Sequence, residues 1–80
     1  MITMKLLAVL SDCAPSPLDS NGCFNLDYTA GMTVADALER TDIGKTNIKY
    51  TVFVNNARKD SSYALVDGDT VMVMPLLAGG

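Results

Sequence analysis

The amino-acid sequence predicts an α+β roll, with a mixed sheet of four to five strands packed on one main helix. Three observations carry this prediction. Strand-like runs open the chain at Ile2 and close it at Met74, and a last strand returning beside the first completes a roll. A single apolar stripe at helical spacing, Val34, Ala37 and Leu38, lies between them. Clusters of Gly, Pro, Asn and Asp separate the elements, and no repeat, low-complexity run or linker divides the 80 residues. A hydrophobic fraction of 49% is ample for a packed globule, although a chain this short gains only a modest core.

Ile2 to Leu10 reads as the first strand, with Met4, Leu6, Ala8 and Leu10 on one face and Thr3 and Lys5 on the other. Leu7 and Val9 blur the alternation, which fits a strand inside the sheet, covered on both faces over its second half. Ser11 to Gly22 is turn chemistry, including Pro15, Pro17, Asp19 and an Asn21-Gly22 step that tolerates positive φ. Cys23 to Tyr28 alternates again, placing Phe24, Leu26 and Tyr28 on one face of a hairpin with a long connection. Thr33, followed three positions on by Asp36, is a helix N-terminus signature, and a carboxylate there suits the positive end of the helix dipole. Gly44 is expected to close a helical segment of about two to three turns, with Ile43 folding onto the core. Lys49 to Asn55 is a strand with Val52 and Val54 on one face and Thr51, Phe53 and Asn55 on the other. Asn55-Asn56 makes a tight turn into a short polar edge strand within Ala57 to Asp60. Leu65 plugs the core from an irregular stretch, and Asp67-Gly68-Asp69 turns the chain into the last strand, Thr70 to Met74.

Composition removes several classes of function. Six basic and nine acidic residues give a formal charge of −3 with no basic cluster along the sequence. Nucleic acid and anionic membrane both demand concentrated Lys and Arg, so neither is expected as a partner, and an acidic protein suits a partner with a basic surface. No apolar run approaches the roughly 18 residues that span a bilayer. Met4 to Leu10 lacks the basic start, length and cleavage site of a secretory signal, so a cytoplasmic location is expected. Histidine is absent and Cys13 and Cys23 are the only cysteines, too few for a zinc or iron–sulfur site built by one chain. A disulfide between them is geometrically conceivable, but a reducing cytoplasm disfavours it. The lack of histidine also excludes Ser-His-Asp and Cys-His catalysis, and no phosphate-binding glycine loop is present. Asp67 and Asp69 flank a glycine and read as turn formers rather than a carboxylate pair. The chain is therefore not expected to be an enzyme, and no metal or cofactor is expected.

What remains is a surface and a tail. If Val71 and Val73 face the core beside Val52 and Val54, alternation sends Phe53, Met72 and Met74 to the opposite face. A single helix covers only one side of a sheet, so these three read as a partner-docking surface, the alternative being a second layer or a dimer over them. Residues 1–75 form the expected domain, and 76–80 a flexible tail that ends on Gly79 and Gly80. Two glycines present a backbone carboxylate with no bulk around it. A frayed end would not need Leu76 and Leu77 leading into it.

At this point the residues resemble a family. Val52-Phe53-Val54-Asn55-Asn56, then Leu65-Val66-Asp67-Gly68-Asp69-Thr70-Val71, then Pro75 and Gly79-Gly80, resemble the ubiquitin-like sulfur carriers. These comprise the molybdopterin synthase small subunits and the thiamine-biosynthesis carriers. The helix start, Gly31 to Leu38, is similar too. Asn56 stands where glycine is more usual, Leu76 stands where a second proline is common, and the Cys13 to Cys23 loop has no counterpart in the pattern.

The resemblance implies a β-grasp fold and a carrier rather than a catalyst. It implies that a partner ATP-dependent adenylyltransferase activates the carboxylate of Gly80 as an acyl-adenylate. Sulfur then replaces one oxygen, and the thiocarboxylate donates sulfide to a sulfur-accepting biosynthetic enzyme. Gly79 gives clearance in a narrow channel, while Phe53, Met72, Met74, Leu76 and Leu77 are the expected docking contacts. Five residues beyond Pro75 reach about 17 Å when extended, enough to enter a buried active site. A protein modifier, joined through Gly80 to target lysines, is the alternative reading. An interaction module with an inert tail is the third.

Overall fold

The computed structural model describes residues 1–7, 10, 14, 18–45 and 48–76. The chain runs β1 (Ile2–Leu6), β2 (Cys23–Leu26), α1 (Val34–Glu39), a 3-10 turn (Asp42–Lys45), β3 (Tyr50–Val54), β4 (Ala57–Arg58) and β5 (Thr70–Pro75). One mixed sheet results, in the order β2-β1-β5-β3-β4. β5 lies parallel to β1 and antiparallel to β3, so the strand that comes last in the chain sits at the centre of the sheet. The remaining neighbours, β1 with β2 and β3 with β4, are antiparallel hairpins.

Alternation sets the two faces as the sequence predicts. Met4, Leu6, Val52, Val54, Val71 and Val73 are buried on the inner face, and Val52 pairs with Val73 as Val54 does with Val71. From the other side α1 contributes Val34, Ala37 and Leu38, and Leu65 and Ile43 plug the ends of this layer. At roughly 25 cal/mol per Å² of apolar surface removed from water, this shared layer is the main source of stability.

β3 loses Lys49 and Asn55 from its expected ends, and two other strands are shorter still. β1 stops at Leu6 instead of Leu10: Leu7 still donates to the Val73 carbonyl at 3.0 Å, but the Leu10 N–H turns back onto the Leu7 carbonyl at 3.0 Å. Leu10 is nonetheless fully buried, reaching the core from a turn rather than from the pleat. Ala8, Val9, Pro15 and Pro17 lie outside the described residues. β2 ends at Leu26 instead of Tyr28 because Leu26 is registered on Ile2, the first residue of β1, and no strand remains opposite. Tyr28 still packs against the core.

The helix begins where the sequence places it and ends earlier. Thr33 and Asp36 form a reciprocal capping box: the Asp36 N–H donates to the Thr33 hydroxyl at 3.3 Å, and the Thr33 N–H to the Asp36 carboxylate at 3.0 Å. The next N–H groups, of Val34 and Ala35, donate to the carbonyls of Tyr63 and Ser61 at 3.0 and 2.9 Å. These bonds pull the segment after β4 away from β3 and towards the helix. Gly44 does not close the helix. α1 has six residues, and its end is satisfied by Thr41, whose hydroxyl donates to the Leu38 carbonyl at 2.7 Å and accepts from the Ile43 N–H at 3.2 Å. A threonine cap of this kind turns the chain into the 3-10 turn that holds Gly44 and drives Ile43 into the core.

The β3–β4 turn is made by two asparagines, with φ of 51° at Asn55 and 70° at Asn56. Both positive values match the two-residue turn that follows the twist of paired strands. Asn55 also ties this turn to the next one, accepting from the Thr70 N–H at 3.0 Å and donating to Asp69 at 2.8 Å. Asp69, 8% exposed, accepts from the Val66 N–H at 2.8 Å with its other oxygen, while Gly68 between the two aspartates takes φ of 96°. Asp67 pairs with the Met1 amino group. The two aspartates are turn formers, as their sequence context predicts.

Candidate functional site: the outer face of the sheet

The face turned away from α1 is built by the alternate residues of the same strands. Phe53 and Met72 are direct cross-strand partners, and Met74 lies one pleat further along β5, opposite Thr51. The expected contacts Phe53, Met72 and Met74 are therefore brought together on one surface. All three are half-buried, because neighbours across the strands shade one another. Leu76 is more open, at 51% exposure, and its N–H is held by the Lys49 carbonyl at 2.8 Å. The antiparallel ladder thus continues one residue past Pro75. Leu77, Gly79 and Gly80 lie outside the described residues.

The register extends this surface into a row that crosses all five strands: Cys23, Lys5, Met72, Phe53 and Arg58. Lys5 and Arg58, which are not among the expected contacts, bracket the apolar pair. Lys49 shares the alternation of Thr51 and Phe53 and is exposed. Lys5 was visible in the sequence as an opposite-face residue of β1. Arg58 follows only from the turn: with Asn55 and Asn56 as the two loop residues, Val54 meets Ala57 and Phe53 meets Arg58. Cys23 is a free thiol whose Sγ donates to the Asn21 carbonyl at 3.7 Å, and Cys13 lies outside the described residues.

The acids lie outside the strands. None of the five strands contains an Asp or Glu. Asp36, Glu39 and Asp42 lie on α1 and the 3-10 turn with Arg40 and Lys45, the latter paired to Asp42 at 3.5 Å, while Asp19 accepts from the Cys23 N–H at 2.9 Å at the β2 end of the row. The acid nearest to β4, Asp60, directs its carboxylate at Ser62, accepting from the hydroxyl at 2.6 Å and from the N–H at 3.0 Å. These two bonds hold its carboxyl below the usual carboxylate range.

The grooves among the described residues are open, and charged residues line each of them: Arg58, Lys59 and Asp60 in one, Glu39 and Lys45 in a second, and Asp36, Glu39 and Arg40 in a third. The first two, of about 410 and 420 Å³, share Leu38, Tyr50 and Ser61, where the segment after β4 passes the helix. Among the described residues no cluster of His, Cys, Asp or Glu is placed to hold a metal ion. No helix among them is long and apolar enough to cross a membrane. The chemistry available to the described residues is that of a surface.

Sheet order, parallel central pair and single crossing helix define a ubiquitin-like β-grasp domain. Two solved structures share this architecture along nearly their whole length. The crystal structure of SAMP1 from Haloferax volcanii aligns with a TM-score of 0.73 at 21% identity, over 99% of this chain and 98% of that one. The crystal structure of H. volcanii small archaeal modifier protein 1 aligns with a TM-score of 0.72 at 22% identity, over 95% and 97%. At such identity the likeness is one of fold. No protein-family model and no curated protein matches the chain.

Proposed function

We propose that this chain is a ubiquitin-like sulfur carrier, a co-substrate rather than an enzyme, whose reacting group is the carboxylate of Gly80. The observation that carries the reading is the joint placement of the apolar face and the tail. β5 holds Met72 and Met74 beside Phe53 and delivers the chain at Leu76, at the border of that same face. A partner docked there receives the residues that follow.

A carboxylate is a poor electrophile. ATP-dependent adenylylation releases pyrophosphate and leaves an acyl-adenylate, and attack by sulfide then expels AMP to leave a thiocarboxylate. Gly79 and Gly80 carry no catalytic group, and the activating enzyme supplies the chemistry. The thiocarboxylate passes sulfur to a biosynthetic enzyme, of the molybdopterin or thiamine type in the family the sequence resembles. Dependence on ATP fits a cytoplasmic location.

The test is incubation with the adenylyltransferase of the same organism, ATP and sulfide, followed by intact mass. Exchange of one oxygen for sulfur at the terminus is the expected result, and an unchanged mass overturns the reading. Adding one residue after Gly80 is expected to abolish the exchange while the thermal transition stays in place.

The description of one structural neighbour as a modifier protein favours a second reading, in which a lysine amine of a target attacks the same activated terminus. Gly-Gly remnants on lysines of cellular proteins after digestion would support that reading over the first.

A further inference from the structure

The net charge and the charge of the outer face have opposite signs. The chain carries −3 overall, yet among the described residues Lys5 and Arg58 are the only charged ones in the strands, and Lys49 immediately precedes β3, bonded to Leu76 at the other end of the apolar face. They come from three separate parts of the sequence, and sheet register assembles them. Lys5 and Arg58 stand at either end of the Met72–Phe53 pair, about 14 Å apart across three strand spacings. Among the described residues none of the three cations has a carboxylate partner, since the ion pairs formed are Met1 with Asp67 and Lys45 with Asp42.

We propose that the outer face receives a protein surface of inverse character: an apolar contact for Phe53 and Met72, ringed by carboxylates that meet Lys5, Lys49 and Arg58. This inference rests on the carrier reading above and specifies the activating partner's docking site. An overall acidic protein would drift towards basic surfaces in general. A local positive rim reverses this at short range, because charges further than about 8 Å away are screened at physiological salt. The charged rim then favours encounters at this face and raises the association rate. The apolar centre supplies contact area, and the rim supplies association rate and discrimination.

The experiment measures ATP–pyrophosphate exchange by the purified adenylyltransferase of the same organism, with the carrier as varied substrate. Lys5→Glu, Lys49→Glu and Arg58→Glu combined are expected to raise KM at least about tenfold with kcat at saturation unchanged. The wild type is expected to lose affinity steeply with added salt, and the triple variant is not. Glu39→Lys, a charge change on the helix side, is expected to leave KM within about twofold, and far-UV circular dichroism confirms folding of each variant.

If the triple reversal leaves KM and its salt dependence unchanged while Met72→Asp abolishes exchange, the apolar docking reading stands and the charge inference falls. If the wild type supports no exchange at all, the carrier reading falls and takes the inference with it. Equally tight, reversal-sensitive binding of a random single-stranded oligonucleotide would assign the face to nucleic acid and overturn the proposal.

Discussion

The two faces of this sheet are made by the same strands, residue by alternate residue, and they obey different rules. On the inner face Val52, Val54, Val71 and Val73 lie under α1, each no more than 6% exposed, with no polar atom among their side chains. On the outer face Thr51, Phe53, Met72 and Met74 remain half-buried and mix with Lys5 and Arg58. Branched, stiff side chains fill the side that must pack once and permanently. Two unbranched methionines and an aromatic ring occupy the side left free to fit something else. The difference matches the proposed division between holding the fold and docking a partner, and substitutions should separate them too.

The largest effect belongs to the inner face. Met4→Ala removes a fully buried side chain and is expected to cost about 2–5 kcal/mol in urea denaturation, whereas Met72→Ala should stay within about 1 kcal/mol. Equal losses would break the distinction between the faces. Asp69→Ala strips the acceptor shared by Val66 and Asn55 and is expected to lose about 1–3 kcal/mol by the same measurement. On the outer face the readout changes: Phe53→Ala is expected to weaken capture by the proposed activating enzyme at least about tenfold, or about 1.4 kcal/mol, in a binding titration. Unchanged affinity would remove this face from recognition. Thr33→Ala, on neither face, should cost about 1 kcal/mol through loss of the capping box and leave binding unaltered.

The smallest effect concerns Asp60. Its folded-state carboxyl sits below its unfolded value, so its contribution is present above the unfolded value and lost as pH falls through the folded one. An NMR titration of Ser62→Ala should move the Asp60 midpoint upwards, because the Ser62 hydroxyl bond is the largest of the effects that depress it. The hydroxyl bond disappears and the turn loosens. A midpoint that stays in place would assign the depression to the backbone N–H bonds of residues 62 and 63 and to Lys59 instead.

Much of this architecture is legible in the sequence because side-chain alternation and capping are local. Thr33 and Asp36 announce the helix, and the valines declare the inner face before any contact is known. The helix end was hidden because a glycine at the expected position is the commoner stop, and the hydroxyl of Thr41 had already satisfied the Leu38 carbonyl. Leu10 was readable as buried but not as lying outside the strand, since burial does not distinguish a pleat from a turn. The apolar part of the candidate surface was legible for the same reason as the core. Its cationic rim was not, because Lys5, Lys49 and Arg58 come to the same face only through pairings between residues distant in sequence.

The central place of β5 has a consequence for how the molecule is assembled. Until this strand inserts, the chain holds two separate hairpins, β1 with β2 and β3 with β4, with no sheet between them. Bringing these non-local pairings together is the slow, entropy-limited step for a topology of this kind. Lys5 and Arg58 belong to different hairpins, and Met72 arrives only with the inserted strand. The cross-sheet row is therefore absent from any half-built chain and complete in every finished one. A partner that reads this row inspects folding and identity in the same contact.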